Sequence, residues 1–249
     1  MDLVNQALAT DGLVWLILAA TLAGVVRGFS GFGTAMIFLP VAGQILDPIS
    51  ALILLMVMDV IGPLPKVPQA LKDGHPGDIA RLGVGLFVAY PIGIAILTVT
   101  DPDFFRYSVS FVALALLAAL LSGFRYRGTV TKPMVYGVGL TGGFLGGVSG
   151  IPGPPVILFY MASPHPPSVI RANNMVYLVF SDVALFLTLL AYGLLNPAML
   201  VLGLMITLPY MLAIFAGSAI FRPEAEKTYR YVAYAIIGVS AIRGLPIWG

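Results

Sequence analysis

Apolar runs occupy most of this 249-residue chain, and their lengths constrain it more than any other feature. They fall at about 13–27, 34–46, 49–65, 79–99, 104–124, 134–149, 154–163, 168–193, 197–220 and 229–247. A helix needs roughly 20 residues to cross the hydrocarbon of a bilayer. The runs from 79, 104, 168, 197 and 229 qualify, and 49–65 is just long enough. The other four are short and come as two pairs. One pair flanks Gly28-Phe29-Ser30-Gly31-Phe32-Gly33, the other Gly146-Gly147-Val148-Ser149-Gly150-Ile151-Pro152-Gly153-Pro154-Pro155. Glycine and proline at that density break a helix. Broken backbone at membrane depth survives only where it is buried in protein or lines a cavity.

Composition excludes the soluble alternative. Apolar residues make up 59 % and charged residues 10 %, against roughly 25 % charged in a soluble domain. With a mean hydropathy of +0.98, the surface itself must be apolar, and the solvent is lipid. The net charge of +2 says little, because in a membrane protein the placement of charge carries the information. No cysteine is present, which excludes disulfides, iron–sulfur clusters and thiolate metal sites. The N-terminus, Met1-Asp2-Leu3-Val4-Asn5-Gln6, lacks the positive start of a cleaved signal peptide, so the first apolar run is expected to be retained.

The paired breaks belong to an internal repeat. Gly28-x-Ser30-Gly31 matches Gly147-x-Ser149-Gly150, and Pro48 matches Pro167, both at a shift of 119 residues. Gly85-Leu86 with Pro91 matches Gly203-Leu204 with Pro209 at a shift of 118. Phe105-Arg106-Tyr107 resembles Tyr229-Arg230-Tyr231 after a small insertion. The whole chain then reads as one transmembrane transporter domain with halves at about 12–130 and 131–249. Duplication with paired broken helices is the mark of a secondary transporter, and the breaks point to the binding site.

Charge chooses between two topologies. If each broken pair is one bent span, the chain has eight parallel-half spans, and the basic residues divide almost evenly. If each pair is a re-entrant hairpin, each half has one hairpin and three spans, and the halves are inverted. One side then collects Lys66, Lys72, Arg81, Arg125, Arg127, Lys132, Arg171, Arg222, Lys227 and Arg230, leaving Arg106 and Arg243 on the other. The positive-inside rule favours the hairpins. The expected fold is all-α and integral to the membrane, with eight membrane segments counting each broken pair as one. Both termini face outward, and the hairpin tips meet near the midplane.

Such tips suit anions. The first turn of the second arm, near Thr34 and near Pro155, leaves N–H groups without helical partners, and the helix dipole adds positive potential there. Gly28, Gly31, Gly33, Gly150 and Gly153 let a ligand approach the backbone, with Ser30 and Ser149 adding hydroxyls at matching places. The alternative is that these glycines only allow close helix packing. Arg27 lies about 14 residues into the first arm, or roughly 20 Å deep; its repeat equivalent is Gly146. A cation at that depth usually faces a cavity or a partner. It either grips an oxyanion through paired N–H donors or forms a structural ion pair with Asp59. Both hold if the substrate competes with Asp59.

Asp59 and Asp182 are the only acids well inside apolar spans. Either is a candidate for proton coupling or for a structural role. Asn173 and Asn174 offer donors to a polar ligand, while Arg171 reads as a gate or interface residue that snorkels to the headgroups. Two isolated histidines, His75 and His165, without cysteine do not make a transition-metal site. No Walker loop and no Ser/His/Asp arrangement is present, so neither ATP-driven work nor an enzyme is expected, and no cofactor is implied. The expected partners are a small anion and the bilayer, with no nucleic acid; a homodimer is possible but not required.

Gly24-x-x-x-Gly28-Phe29-Ser30-Gly31-Phe32-Gly33, followed by Pro40, resembles the first signature of the TauE/SafE sulfite exporter family. Gly142-Gly143-x-x-Gly146-Gly147-x-Ser149-Gly150-x-Pro152-Gly153-Pro154-Pro155 resembles the second, and Arg171-Ala172-Asn173 the pattern that follows it. The resemblance implies transport, most often export, of small sulfur-containing anions such as sulfite, sulfoacetate and related sulfonates across a bacterial cytoplasmic membrane. The sequence departs from the family pattern at Phe32-Gly33-Thr34 and at Arg27. An added arginine suits a larger or more strongly charged sulfonate. Competing readings are an anion channel, a metal-cation permease and a membrane-embedded enzyme or assembly factor.

Overall fold

The computed structural model describes residues 3–122, 131–160 and 165–247. Among the described residues there are helices and turns but no strand. The helices are α1 (Leu3–Leu8), α2 (Leu13–Ser30), α3 (Thr34–Ala42), α4 (Pro48–Ile61), α5 (Val67–Asp73) and α6 (Pro76–Val99). They continue with α7 (Pro102–Leu121), α8 (Lys132–Ser149), α9 (Gly153–Tyr160), α10 (Pro167–Ala191), α11 (Pro197–Ala219) and α12 (Glu226–Gly244). Several starts are dictated locally. Proline at the first turn has no N–H to leave unpaired, and it opens α6 and α11. The side chains of His75 and Asn196 cap those helices by accepting from the N–H groups of Asp78 and Ala198.

Among the described residues, five helices are long and apolar enough to cross a membrane: Leu13–Ser30, Pro76–Val99, Pro102–Leu121, Ser168–Ala191 and Pro197–Ala219. The run at 49–65 behaves differently from its sequence reading. Its helix stops at Ile61, before Gly62-Pro63, and a single turn at Leu64–Lys66 leads into α5. The two parts bend by 46°, and together they make a sixth candidate span. The first run, read as a short arm, forms an 18-residue helix that qualifies alone. The last run does not qualify, since α12 carries Lys227, Arg230 and Arg243. Arg125 and Arg127, which the charge argument used, lie outside the described residues.

The chain divides into two compact units, each drawing helices from both sequence halves. The first comprises Met1–Asp59, Pro102–Leu117 and Leu194–Gly249; the second comprises Val60–Asp101 and Ala118–Gly193. In the first unit, α2 packs along α11, α1 also touches α11, and α3 lies against α2 and α12. Helices α2 and α11 meet backbone to backbone. A Cβ on Gly28 would sit 2.3 Å from the Ile214 carbonyl oxygen, and one on Gly217 2.1 Å from that of Val25. Such small-residue contacts replace the hydrophobic drive that lipid removes. Helix α4 is buried on every side from Ser50 to Met58, as expected for a helix that is apolar all round. The outer face of α11 exposes Leu204, Leu208, Leu212 and Phe215 at helical spacing, while Leu202, Ile206, Tyr210 and Ala213 face inward.

In the second unit, α8 packs along α6, α10 packs on α6 and α5, and α9 fits against α8 and α10. The glycine contacts repeat those of the first unit. Gly24 approaches Tyr210 and Gly28 approaches Ile214; Gly143 approaches Leu86 and Gly147 approaches Tyr90. Gly217 and Gly93 take the same place on the receiving helix. The approaching glycines are offset by 119 residues, but their partners by 124 (Leu86 to Tyr210, Tyr90 to Ile214, Gly93 to Gly217). The offset of 124 also relates Phe105-Arg106-Tyr107 to Tyr229-Arg230-Tyr231. The pairing made by packing is therefore Gly93 with Gly217. Gly85 and Gly203, matched by sequence, meet different surroundings, the Tyr136 carbonyl and the Val57 side chain.

Replacing Gly217 by leucine forces α2 and α11 apart. We expect a loss of about 1–3 kcal/mol or more, read as a lower thermal midpoint in fluorescence-detected size-exclusion chromatography. Gly137→Ala, whose added Cβ meets nothing within 4 Å, is expected to stay at the wild-type midpoint.

Candidate functional site

The first break is built by two glycines and a serine. Gly31 ends α2 in the left-handed region (φ +80°), and its N–H donates to the Arg27 carbonyl at 2.8 Å. Gly33 precedes α3 at φ +106°. Both are backbone conformations that glycine adopts without the Cβ penalty. The Ser30 hydroxyl bonds the Val26 carbonyl at 2.7 Å and the Phe32 carbonyl at 2.9 Å. A Cβ on Gly31 would meet nothing within 4 Å, so the tip is open there. Gly28, by contrast, is committed to packing against α11.

This geometry brings four polar side chains into one ring. Arg27, in the last turn of α2, pairs with Asp59 near the end of α4. Its Nη1 also donates to Thr34 Oγ1 at 3.0 Å. The Tyr210 hydroxyl on α11 donates to Asp59 Oδ1 at 2.7 Å. Tyr210 has one proton to give, so at its 2.9 Å contact with Thr34 the threonine is the donor. Thr34 and Tyr210 are buried, whereas the Arg27 and Asp59 side chains keep 20 % and 18 % exposure. The charged pair is thus reachable from outside, and its two hydroxyl supports are not.

The electrostatics favour an anion. Thr34 is the first residue of α3, so the guanidinium lies beside a helix N-terminus. Both carry positive potential, and Asp59 is the counter-charge that lets them coexist in an apolar unit. Desolvated ion pairs of this kind depend on good geometry and on hydrogen bonds to the remaining lone pairs. Tyr210 supplies one of these. A planar guanidinium is also the side chain best matched to an oxyanion.

The second break, in the other unit, repeats the backbone but not the chemistry. Gly150 ends α8 at φ +68° and donates to the Gly146 carbonyl at 2.9 Å. Ser149 bonds the Leu145 carbonyl at 2.7 Å, as Ser30 bonds Val26, and is fully buried. A Cβ on Gly146 would collide with the Tyr90 ring at 2.6 Å. Gly153 opens α9 with only Ile157 and Leu178 side chains nearby. Ser149 is therefore engaged with its own backbone.

The remaining predicted residues also fall in the second unit. Asn173 is fully buried, accepting from the His75 N–H at 2.8 Å and donating to the Tyr160 hydroxyl at 2.7 Å. It clamps α10 to α9 and to the turn before α6. Asn174 Oδ1 is buried and has no hydrogen-bond partner among the described residues. Arg171 is exposed on the first turns of α10. Asp182 is partly buried on α10 near Tyr90. Sequence reasoning missed Tyr210. It is one of 11 tyrosines, and it meets Asp59 across 151 residues of chain; no local pattern marks it.

No curated protein and no solved structure matches the chain. The protein-family model described as sulfite exporter TauE/SafE matches residues 16–244, from the second turn of α2 to the end of α12. That match takes in both broken helix pairs and the Arg27 ring, and the chain belongs to the sulfite exporter TauE/SafE family.

Proposed function

We propose that this protein is a secondary transporter, working as an exporter, for small sulfur-containing anions such as sulfite, sulfoacetate or a related organosulfonate. The observation that carries the reading is the Arg27–Asp59 pair beside the first helix break, partly exposed and braced by Thr34 and Tyr210. The anion enters at this ring and takes the guanidinium from Asp59. Gly31 leaves the backbone at the tip approachable. The close packing of α3 on α2 supports a re-entrant hairpin, with alternating access to the two sides of a bacterial inner membrane.

The same exchange suggests proton coupling. An anion arriving beside Asp59 adds a second negative charge to a site that was neutral. Two like charges 4 Å apart repel by about 4 kcal/mol at an effective dielectric of 20. A proton on Asp59 removes that repulsion. The anion and a proton then occupy the site together, so flux responds to a pH gradient, and export runs where the outward anion gradient exceeds the opposing proton gradient.

In proteoliposomes, saturable uptake and counterflow of sulfite or sulfoacetate are expected with wild-type protein. Arg27→Gln is expected to lower the uptake rate at least tenfold. A channel would instead show flux without counterflow, and flux unchanged in Arg27→Gln would remove the site assignment. Asp59→Asn, which keeps a neutral hydrogen-bonding side chain, is expected to retain exchange while losing its response to an imposed pH gradient. A wild-type response in that variant would exclude Asp59 as the coupling group.

A further inference from the structure

The second unit holds a cluster for which anion transport gives no role. Asp78, in the first turn of α6, has a side chain only 7 % exposed, yet three basic groups converge on it. Its Oδ2 lies 3.1 Å from His165 Nε2, and its Oδ1 lies 3.4 Å from His75 Nδ1 and 3.1 Å from Arg81 Nη1. The two imidazole rings stand 5.0 Å apart. The two histidines that looked isolated in sequence are thus neighbours, joined through one carboxylate.

We infer that His75, Asp78 and His165 form a binding site for a divalent transition cation of the zinc class. One ligand atom from each residue lies within 4.8 Å of the other two. Zinc bound tetrahedrally at roughly 2.0–2.2 Å places adjacent ligand atoms roughly 3.3–3.6 Å apart. The His165 Nε2–Asp78 Oδ2 separation of 3.1 Å is close to that spacing, and the three ligand atoms lie within 4.8 Å of one another, so side-chain shifts alone let a cation enter. His75 Nδ1 accepts the Asp78 N–H at 3.2 Å, so a cation ligated there takes that lone pair from the helix cap. Two histidines and one carboxylate leave a fourth position for water, as in open zinc sites.

The surroundings hold these ligands in place. Arg81 fixes the Asp78 carboxylate through Oδ1 and leaves Oδ2 as the metal ligand. Asn173 accepts from the His75 backbone N–H and is itself held to Tyr160. Such outer hydrogen bonds orient ligands and tune affinity. The Arg81 charge opposes a second cation nearby, so binding is weaker than at an all-neutral structural site and is reversible. Occupancy ties the segment entering α10 to the start of α6.

The test uses the full chain, purified in detergent without a histidine tag, with zinc as the probe. Calorimetric titration and metal analysis are expected to give one zinc per chain, undisturbed by excess magnesium, and zinc is expected to raise the thermal midpoint. His165→Gln and Asp78→Asn are expected to weaken binding at least tenfold and to abolish the zinc-dependent rise. His165 lies outside any helix, so His165→Gln decides the matter if Asp78→Asn fails to fold. Wild-type protein that binds no zinc would overturn the assignment, and so would undiminished binding in a folded His165→Gln.

Discussion

Arg27 is tolerable within an apolar protein because Asp59 meets it, and the first unit is arranged around that meeting. The pair joins the end of α2 to the end of α4. Thr34 brings in the start of α3, and Tyr210 brings in α11. Each helix end is placed by its own local rule: Gly31 stops α2, Gly33 starts α3, and Gly62-Pro63 follows α4 soon after Asp59. Backbone contact through Gly24 and Gly28 then sets the depth of α11, which places the Tyr210 hydroxyl. Removing either charge leaves the other partly desolvated without its counter-charge, a greater penalty than the net worth of the pair.

The second unit shows what the same backbone does without that pair. By the repeat offsets, Arg27, Thr34, Asp59 and Tyr210 correspond to Gly146, Gly153, Leu178 and Leu86. All four polar positions have become apolar, and the Tyr90 ring occupies the space beside Gly146. The hinge itself is retained, with Gly150 in the left-handed region and Ser149 bonded one turn back. The geometry of the break thus recurs in both units, while the charged pair stands at one of them.

Much of the fold was legible because glycine and proline act locally. Both breaks, and the run boundaries to within a few residues, follow from that punctuation and from run length. The exception at 49–65 arose because an unbroken apolar count hid the Gly62-Pro63 stop. Arg27 and Asp59 were visible as rare charges in apolar runs, and the fold pairs them. Tyr210, and the convergence of His75 with His165, depend on side chains far apart in sequence. The register of α11 that places Tyr210 shows in packing, where Gly93 and Gly217, not Gly85 and Gly203, meet equivalent surroundings. Asn173 was visible as polar, but its full burial and its two partners make it a clamp.

At the Arg27 ring, the proposed exchange has an anion displace Asp59 from Arg27 and bring a proton with it. Calorimetric binding of a sulfonate, whose charge is fixed across the working pH, tests this most directly when repeated in buffers of different ionisation enthalpy. The buffer dependence counts protons exchanged on binding, by linkage. The account predicts uptake of about one proton per anion in wild-type protein and no measurable binding in Arg27→Gln. Binding without proton exchange, and equally tight in Arg27→Gln, would contradict it.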